Sequence, residues 1–404
     1  MLTSLAIIFL LGLLMGSIFN KLKLPSLMGM IFTGILLSPY AFNLLDDKIL
    51  SISPDLRQLA LVIILTRAGL SLDIKDLKKV GRPAILMCFV PAIFEILAVI
   101  FISQKVLGVT LLEGAIMGTV VAAVSPAIIV PRMINLIDKK IGIENSIPQL
   151  IMAGASVDDI FVIVLFTAFT GLAKGTNLSA MSFLQIPVSI IMGILIGVVT
   201  GILLVNIFKK IHLRDSLKVI IILSISFLLI ECENRLENII PISGLLAIMS
   251  MGIIIKAKYE VLAVRLSNKY NKLWLAAEIV LFVLVGATVN INYALQAGVA
   301  AIGVILFAMI FRMIGVYICL LKTRLSVKER LFCMIAYTPK ATVQAAIGGI
   351  PLSMGLDCGN IDLTVAVLAI LITAPFGALG IDSTYEKLLI NNHDNFDNKK
   401  ISGN

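Results

Sequence analysis

Charged residues are scarce in this sequence. Only 14% of its 404 residues are Asp, Glu, Lys or Arg, whereas soluble domains contain about 25%. Hydrophobic residues make up 59% of the chain, and the mean hydropathy is +1.05. The shortage of charge and the apolar excess together exclude an ordinary soluble domain. They predict an integral membrane protein with many spans.

Histidine and cysteine are also few and show no useful pattern. Of the two histidines, His212 lies in a basic loop and His393 in a polar tail. The apolar runs therefore contain no histidine for a metal cluster or a proton relay. The five cysteines are scattered, without the spacing of a disulfide framework or a zinc site. Because no nucleophile–base pair appears either, the sequence does not predict an enzyme.

Apolar runs of membrane-spanning length recur along the chain, and each can cross a bilayer as a helix. Thirteen are expected, at about 1–20, 25–43, 57–72, 83–104, 109–134, 146–172, 184–208, 215–231, 239–255, 272–291, 294–321, 329–354 and 362–384. The first run lacks the basic residues that begin a signal peptide, and it is expected to be retained in the mature protein. The sequence thus predicts an all-α membrane protein with about 13 transmembrane helices. Residues 1–384 form a single unit, and residues 385–404 form a polar tail.

Lysine and arginine are distributed unevenly between alternate loops. Most of the 33 lysines and arginines lie after odd-numbered spans or in the tail. The other side has few, Arg57 among them, and carries the acidic loop Asp46-Asp47. Basic loops mark the cytoplasmic side. The pattern predicts a multi-pass protein of the cell membrane with its N-terminus outside and its C-terminus in the cytoplasm. It also explains the net charge of +9 without a nucleic-acid partner.

Two adjacent carboxylates, Asp158 and Asp159, lie in the middle of the sixth run. Each costs about 2.5–3.5 kcal/mol to insert at the centre of a membrane helix. Folding does not require that cost, so the pair is expected to handle a cation or a proton. The alternative, a mis-drawn segment with the pair in an interfacial loop, is disfavoured by uninterrupted apolar flanks on both sides.

Two spans are interrupted by proline in the same context. The fifth contains Ser125-Pro126, and the twelfth contains Thr338-Pro339-Lys340. Proline removes a helix hydrogen bond, and freed carbonyls are tolerated in a membrane only beside protein or water. The offset of seven spans reverses direction across the membrane, as an inverted repeat requires. Interrupted helices at equivalent positions of two halves mark the midplane site of a transporter. We therefore expect two discontinuous helices that cross.

Deep charges cluster around these breaks. Glu95 in span four is expected to pair with Arg312 in span eleven, because buried charges are tolerated mainly as pairs. Lys340 is expected to pair with one carboxylate of Asp158-Asp159 when no cation is bound. The thirteenth span is expected to carry no deep charge.

Oxygen atoms dominate the predicted site. Ser125, Thr338 and freed carbonyls are expected to complete an oxygen shell around a small hard cation such as Na⁺ at the two aspartates. Arg67 and Glu278 lie near the cytoplasmic ends of their spans, where they can reach the interface or line a funnel. Because a cation and protons compete for the same oxygens, the expected mechanism is antiport by alternating access.

Several stretches resemble a known family: 57–70, 122–127, 157–159 and 338–348. They are similar to monovalent cation:proton antiporters of the second branch, the NHA-type sodium/proton exchangers. The resemblance implies exchange of Na⁺ or Li⁺ for H⁺ at Asp158 and Asp159, with Lys340 as a partner and Arg312–Glu95 as the core ion pair. It also implies a homodimer. Its mobile core would include helices at about 83–172 and 294–384, and its dimerisation scaffold would include those at about 1–72 and 184–291.

Two alternatives stay open at this point. The same scaffold can move K⁺ in exchange for H⁺, or an organic anion with sodium. A larger solute would need a roomier, more polar or aromatic-lined cavity, and the sparse aromatic residues of the predicted core, of which Phe161 and Tyr337 are the nearest, do not supply one. A membrane subunit that senses or anchors is the third interpretation, but it leaves the deep charges unexplained. No resident cofactor is expected.

Overall fold

The computed structural model describes residues 1–72, 81–174, 180–236 and 242–389, and regular secondary structure in these ranges is helical throughout. The helices are α1 (Leu2–Lys21), α2 (Ser26–Leu37), α3 (Asp47–Ser51), α4 (Ser53–Ser71), α5 (Arg82–Met87), α6 (Val90–Val106), α7 (Leu111–Ala122), α8 (Pro126–Asp138), α9 (Ile147–Lys174), α10 (Ala180–Lys210), α11 (Asp215–Leu236), α12 (Gly244–Lys258), α13 (Glu260–Thr288), α14 (Ile291–Cys319), α15 (Val327–Ala336), α16 (Thr342–Ile347), α17 (Ile350–Ser353) and α18 (Gly359–Leu389).

Each of the thirteen predicted spans coincides with a helix or with a helix broken into pieces. Within the described ranges, eight segments are long and apolar enough to cross a membrane by length and composition. The prediction of an all-helical, multi-pass membrane protein is confirmed. The last helix runs to Leu389, so residues 385–389 belong to it rather than to the predicted tail. The rest of that tail lies outside the described residues.

The two broken spans begin alike. Thr110 and Glu113 form a capping box at the start of α7, and Ser326 and Glu329 form one at the start of α15. In each, the hydroxyl accepts a hydrogen bond from the glutamate N–H, and the glutamate accepts one from the capping N–H at 2.7 Å. Capping boxes satisfy amide groups that the first helical turn leaves free. The two halves therefore share a start signal as well as a proline break.

The breaks cross in the interior of the protein. The chain leaves α7 at Ala122 and enters α8 at Pro126, a residue that suits the first helical position because it has no N–H. It leaves α15 at Ala336 and enters α16 only at Thr342. The Ser125 N–H donates to the Pro339 carbonyl at 2.8 Å and joins the two breaks directly. The predicted pair of discontinuous, crossing helices is confirmed.

The helices pack mainly within two sets. The first set comprises α1–α4 and α10–α13, and the second comprises α5–α9 and α14–α18. Helices of the first set approach very closely where α2 meets α13: a Cβ at Gly34 would overlap the Val283 carbonyl, and one at Gly286 would overlap the Ile31 carbonyl. Small residues allow such close backbone contact between membrane helices. Substitution of either glycine is therefore expected to separate α2 from α13.

Contacts between the two sets are concentrated at a few places. In one of them, α16 of the second set packs against α4 and α13 of the first. Arg57, which the sequence places among the outer loops, lies inside α4 and is 5% exposed. The prediction that Arg57 lies in an outer loop is therefore wrong. The guanidinium lies against the backbone between α16 and α17, where a Cβ at Gly349 would overlap Nη1 of Arg57.

Candidate functional site

Four charged side chains form a continuous chain of ion pairs beside the crossing. Lys340 Nζ lies 2.7 Å from Glu95 Oε1. Arg312 Nη1 lies 2.8 Å from Glu95 Oε2, and Arg312 Nη2 lies 2.8 Å from Asp158 Oδ2. All four side chains are fully buried. The order along the chain is Lys340, Glu95, Arg312, Asp158, so positive and negative charges alternate.

This arrangement confirms one predicted contact and corrects another. Glu95 pairs with Arg312 as the sequence predicts. The predicted pairing of Lys340 with an aspartate is wrong, because Lys340 lies against Glu95. Glu95 offers one oxygen to each base, and the planar fork of Arg312 spans Glu95 and Asp158. Asp158 therefore pairs with Arg312, and not with Lys340 as the sequence predicts.

The two bases also cap the interrupted helices. Lys340 Nζ donates to the Val121 carbonyl at 2.7 Å, and Arg312 Nη1 donates to the Ala122 carbonyl. Arg312 Nε donates to the Tyr337 carbonyl, at the end of α15, at 2.7 Å. Carbonyls at the end of a helix lack intrahelical partners and carry its partial negative charge. Positive side chains are therefore stabilised at both breaks.

The two aspartates have different surroundings. Asp158 is fully buried, and its Oδ2 accepts a hydrogen bond from the Val124 N–H at 2.9 Å. Asp159 is only partly buried. The Oδ1 atoms of both residues have no hydrogen-bond partner among the described residues. Asp158 is thus held by the protein, whereas Asp159 takes no part in the ion-pair chain.

The hydroxyl groups before the two prolines also differ. Ser125 Oγ is buried and has no hydrogen-bond partner in the part of the chain that the structure describes. Thr338 Oγ1 donates to the Ile335 carbonyl of its own helix at 2.8 Å. Ser125 therefore has its full hydrogen-bonding capacity available, while the hydroxyl proton of Thr338 is already engaged. The role of either as a ligand remains a prediction.

A cavity of about 420 Å³ lies between the two helix sets. The first set contributes Lys23 and Glu278 to its wall, and the second contributes Ile128, Arg132 and Asp382. Arg132 and Asp382 form an ion pair at 3.1 Å on the wall. The cavity thus reaches the first turn of α8 at Ala127, two residues after Ser125.

The two residues predicted to line a funnel lie near each other. Glu278 lines the cavity, as the sequence allows. Arg67 is half-buried and close enough to Glu278 for their charges to interact, but it does not line the cavity. Both lie on the first helix set, apart from the ion-pair chain. Their functional role remains a prediction.

Two buried polar residues were missed from the sequence. Asp362 is fully buried in the first turn of α18, at the first residue of the thirteenth predicted span. Gln344 is fully buried beside the first break. It lies five residues after Pro339, and a polar residue so close to a predicted break was a usable signal.

The donor set is made of oxygen atoms. Within residues 1–72, 81–174, 180–236 and 242–389, no group of three or more His, Cys, Asp or Glu could hold a metal ion. The unpartnered oxygens of Asp158, Asp159 and Ser125 suit a hard monovalent cation better than a transition metal. Such a cation would be a transported substrate and not a resident cofactor.

These features define a multi-pass membrane transporter in which two broken helices cross at a buried charge cluster. The fold matches that of the sodium proton antiporter MjNhaP1 from Methanocaldococcus jannaschii with a TM-score of 0.83. The match covers 96% of this chain and 99% of that chain at 20% sequence identity. The architecture is therefore the sodium/proton antiporter fold.

Sequence comparison identifies the family. The model of the family described as "Sodium/hydrogen exchanger, transmembrane" matches residues 5–385. The chain is 31% identical to human sodium/hydrogen exchanger 9B2, and the match covers 95% of this chain and 74% of the relative. It is 29% identical to human sodium/hydrogen exchanger 9B1, with coverage of 92% and 74%. The chain belongs to the sodium/hydrogen exchanger family, a family of transporters.

Proposed function

We propose that this protein exchanges Na⁺ or Li⁺ for H⁺ across the cell membrane, and that Asp159 is the carboxylate over which the ions compete. The observation that carries the proposal is the imbalance of the buried cluster. It contains three acidic and two basic side chains, and four of the five are joined in the ion-pair chain. Asp159 is left over and is the more exposed aspartate.

The charges suggest how the exchange works. The ion-pair chain is neutral when its four members are ionised, so an ionised Asp159 leaves one net negative charge. One proton or one alkali cation neutralises that charge, and both cannot bind Asp159 with full affinity. Binding of the cation therefore requires release of the proton. With the lysine and arginine held by acids throughout, we propose one proton exchanged for each cation.

Unpartnered oxygens favour a small cation at this point. Oδ1 of Asp159, Oδ1 of Asp158 and Oγ of Ser125 are all buried without hydrogen-bond partners among the described residues. Buried polar atoms are normally hydrogen-bonded, and exceptions often mark functional sites. Hard oxygen ligands suit alkali cations. We propose that these atoms bind the transported ion, and that Thr338 contributes less because its hydroxyl proton is engaged.

Alternating access is supported by a difference between the two faces of the protein. On the face that the basic loops assign to the cytoplasm, the cavity separates the two helix sets. On the opposite face, Arg57 near the start of α4 lies against the backbone at Gly349 of the second set and closes the gap between the two sets. We propose that this state opens to the cytoplasm. The second helix set would move against the first and open the opposite side.

The first helix set is the proposed dimerisation scaffold. Its α1 and α10 are the least buried of the eight candidate spans and present apolar faces. The second set contains every member of the ion-pair chain. A second copy bound to the first set would leave the second set free to move. We therefore propose a homodimer whose contact helices do not include the charge cluster.

Flux through proteoliposomes tests the proposed function. The purified protein should acidify or alkalinise the lumen when a Na⁺ or Li⁺ gradient is imposed, and Asp159→Asn should abolish this flux. Asp55→Asn, which alters an exposed acid in α4, is the matched control and should keep the wild-type rate. Retention of the wild-type rate by Asp159→Asn would contradict the proposal. A K⁺ gradient in the same assay tests the alternative cation, and an imposed membrane potential tests the one-to-one ratio.

A further inference from the structure

Gln344 contacts the first break although it belongs to the other broken helix. It lies in α16 and is fully buried. Its Nε2 donates to the Ala123 carbonyl at 2.7 Å and to the Val121 carbonyl at 3.1 Å. Both carbonyls are at the end of α7, where the helix supplies no partner. One neutral side chain therefore uses both amide hydrogens on the interrupted helix.

The peptide between Ala123 and Val124 is held from both sides. Its carbonyl accepts from Gln344, and its N–H donates to Asp158 Oδ2 at 2.9 Å. A trans peptide is planar, and its C=O and N–H point in opposite directions. Rotation of this peptide would therefore break both hydrogen bonds together. Gln344 fixes the direction of the N–H that Asp158 accepts.

The other donors at this helix end are charged. Lys340 donates to Val121 and Arg312 donates to Ala122, and both also pair with Glu95. Their positions respond to the charge state of the acids. The amide of Gln344 carries no charge, so its bond to Ala123 does not depend on which ion the site holds.

We propose that Gln344 is a positioning residue for ion exchange, which holds the Ala123–Val124 peptide in place. Asp158 then stays bonded to both Val124 and Arg312. Asp159 stays free for the transported ion. The inference rests on the proposed function of the aspartates. It assigns a task in the exchange to a residue that touches neither aspartate. The Oε1 atom of Gln344 has no partner among the described residues, so the amide is positioned by its donor side alone.

Two substitutions separate positioning from packing. Gln344→Met keeps a similar length but has no amide hydrogens, and Gln344→Leu removes all polar contact. In both, the Val124 N–H is free to turn away, and Asp158 loses a hydrogen bond that stabilises its charged form. Protons then compete more strongly at the aspartates. Because a hydrogen bond to a charged group is lost, the KM for Na⁺ should rise about tenfold at neutral pH, and the activity profile should shift to higher pH.

The groups that can influence this profile are known. Arg312 and Lys340 face the break as bases, and Glu95 and Asp158 face it as acids, with Asp159 next to Asp158 in α9. None of them is altered in the Gln344 variants. A shift in the pH profile therefore reports a change in geometry around these fixed charges.

The control is Thr119→Val, which also removes a buried polar group from the same region. Thr119 is fully buried in α7, and its hydroxyl donates to the Ile116 carbonyl of its own helix at 2.7 Å. It should lower the melting temperature without changing the KM or the pH profile. Gln344 variants that melt earlier but keep the wild-type KM and profile would show a packing role and overturn the proposal.

Binding measurements keep the test informative if transport is lost. The rise in melting temperature caused by Na⁺ reports binding in detergent, and a folded Gln344→Met variant should need about tenfold more Na⁺ for the same rise. An unchanged Na⁺ response would overturn the positioning role. If the wild type shows no flux and no Na⁺ response, the proposed function itself fails. If the wild type responds to Na⁺ and Asp159→Asn does not, the proposed function stands, and the Na⁺ response of the Gln344 variants then supports or overturns the positioning role.

Discussion

The two breaks share a geometry but differ in chemistry. In the first break, the Val124 N–H is bonded by Asp158 of α9. In the second, the Lys340 N–H is bonded at 3.0 Å by the hydroxyl of Thr373 in α18. In each half, the third span of the repeat thus supplies an oxygen to an N–H within the break. One oxygen belongs to an ionisable group and the other does not.

The difference shows how a repeat can keep its architecture while its halves divide the charges. The first half supplies Glu95, Asp158 and Asp159, and the second supplies Arg312 and Lys340. Every ion pair of the cluster therefore joins one half to the other. Two acidic halves would repel each other in a medium of low dielectric constant. Opposite charges hold the crossing together and leave one acid available.

The largest expected effect comes from removing the charges that join the halves. Glu95→Gln leaves both buried bases with one acid fewer, and Arg312→Met leaves Glu95 and Asp158 without their shared partner. Breaking a buried ion pair from one side costs about 3–5 kcal/mol. The double variant should lose less than the sum of the single variants, because it removes both members. Thermal or denaturant unfolding in detergent measures these losses.

An exposed pair provides the control for this comparison. Glu231 and Arg235 lie 2.6 Å apart on the surface of α11. Because solvent-exposed pairs contribute little to stability, Glu231→Gln should cause no measurable loss. Strictly additive losses in the Glu95 and Arg312 series would show that the two residues act independently and would contradict the cross-half pairing.

A smaller effect is expected where the second break has a hydroxyl in place of an acid. Thr373→Val leaves the buried Lys340 N–H without its acceptor, and an unsatisfied buried donor costs about 1–3 kcal/mol. Transport should continue in the folded protein, because no ion-binding carboxylate is lost. Asp158→Asn should reduce stability more, because it also breaks the buried pair with Arg312, and it should abolish exchange. Abolished exchange in Thr373→Val would mean that the two halves are functionally equivalent at this position.

The features that could be predicted from the sequence are those that depend on the order of residues along the chain. Apolar length predicts the spans, proline predicts the breaks, and the cost of buried charge predicts that Glu95 and Arg312 pair. The partner of Lys340 could not be predicted. The helix resumes only at Thr342, and the extended residues of the break set the direction of the lysine side chain. Hydropathy contains no information about that direction.

Burial within the protein was equally hard to predict near span ends. Arg57 and Asp362 both lie within a few residues of a predicted boundary, where water is the default surrounding. The fold buries both, because α4 packs against α16 and α17 packs against α18 at this end. Lateral packing decides such cases, and it depends on contacts between distant segments. The hydropathy of a sequence segment contains no information about such contacts.

The smallest expected effect compares the two hydroxyls that precede the prolines. Ser125 Oγ has no hydrogen-bond partner among the described residues, whereas Thr338 Oγ1 donates to Ile335 at 2.8 Å. Ser125→Ala should raise the KM for Na⁺ about fivefold, which corresponds to about 1 kcal/mol for one neutral polar contact. Thr338→Val should raise the KM by less than Ser125→Ala does and should lower stability slightly, since its hydrogen bond lies within one helix. Na⁺-dependent flux in proteoliposomes measures both. Equal KM values for the two variants would mean that the breaks contribute alike to the ion site, and the asymmetry between the halves would then be confined to their charges.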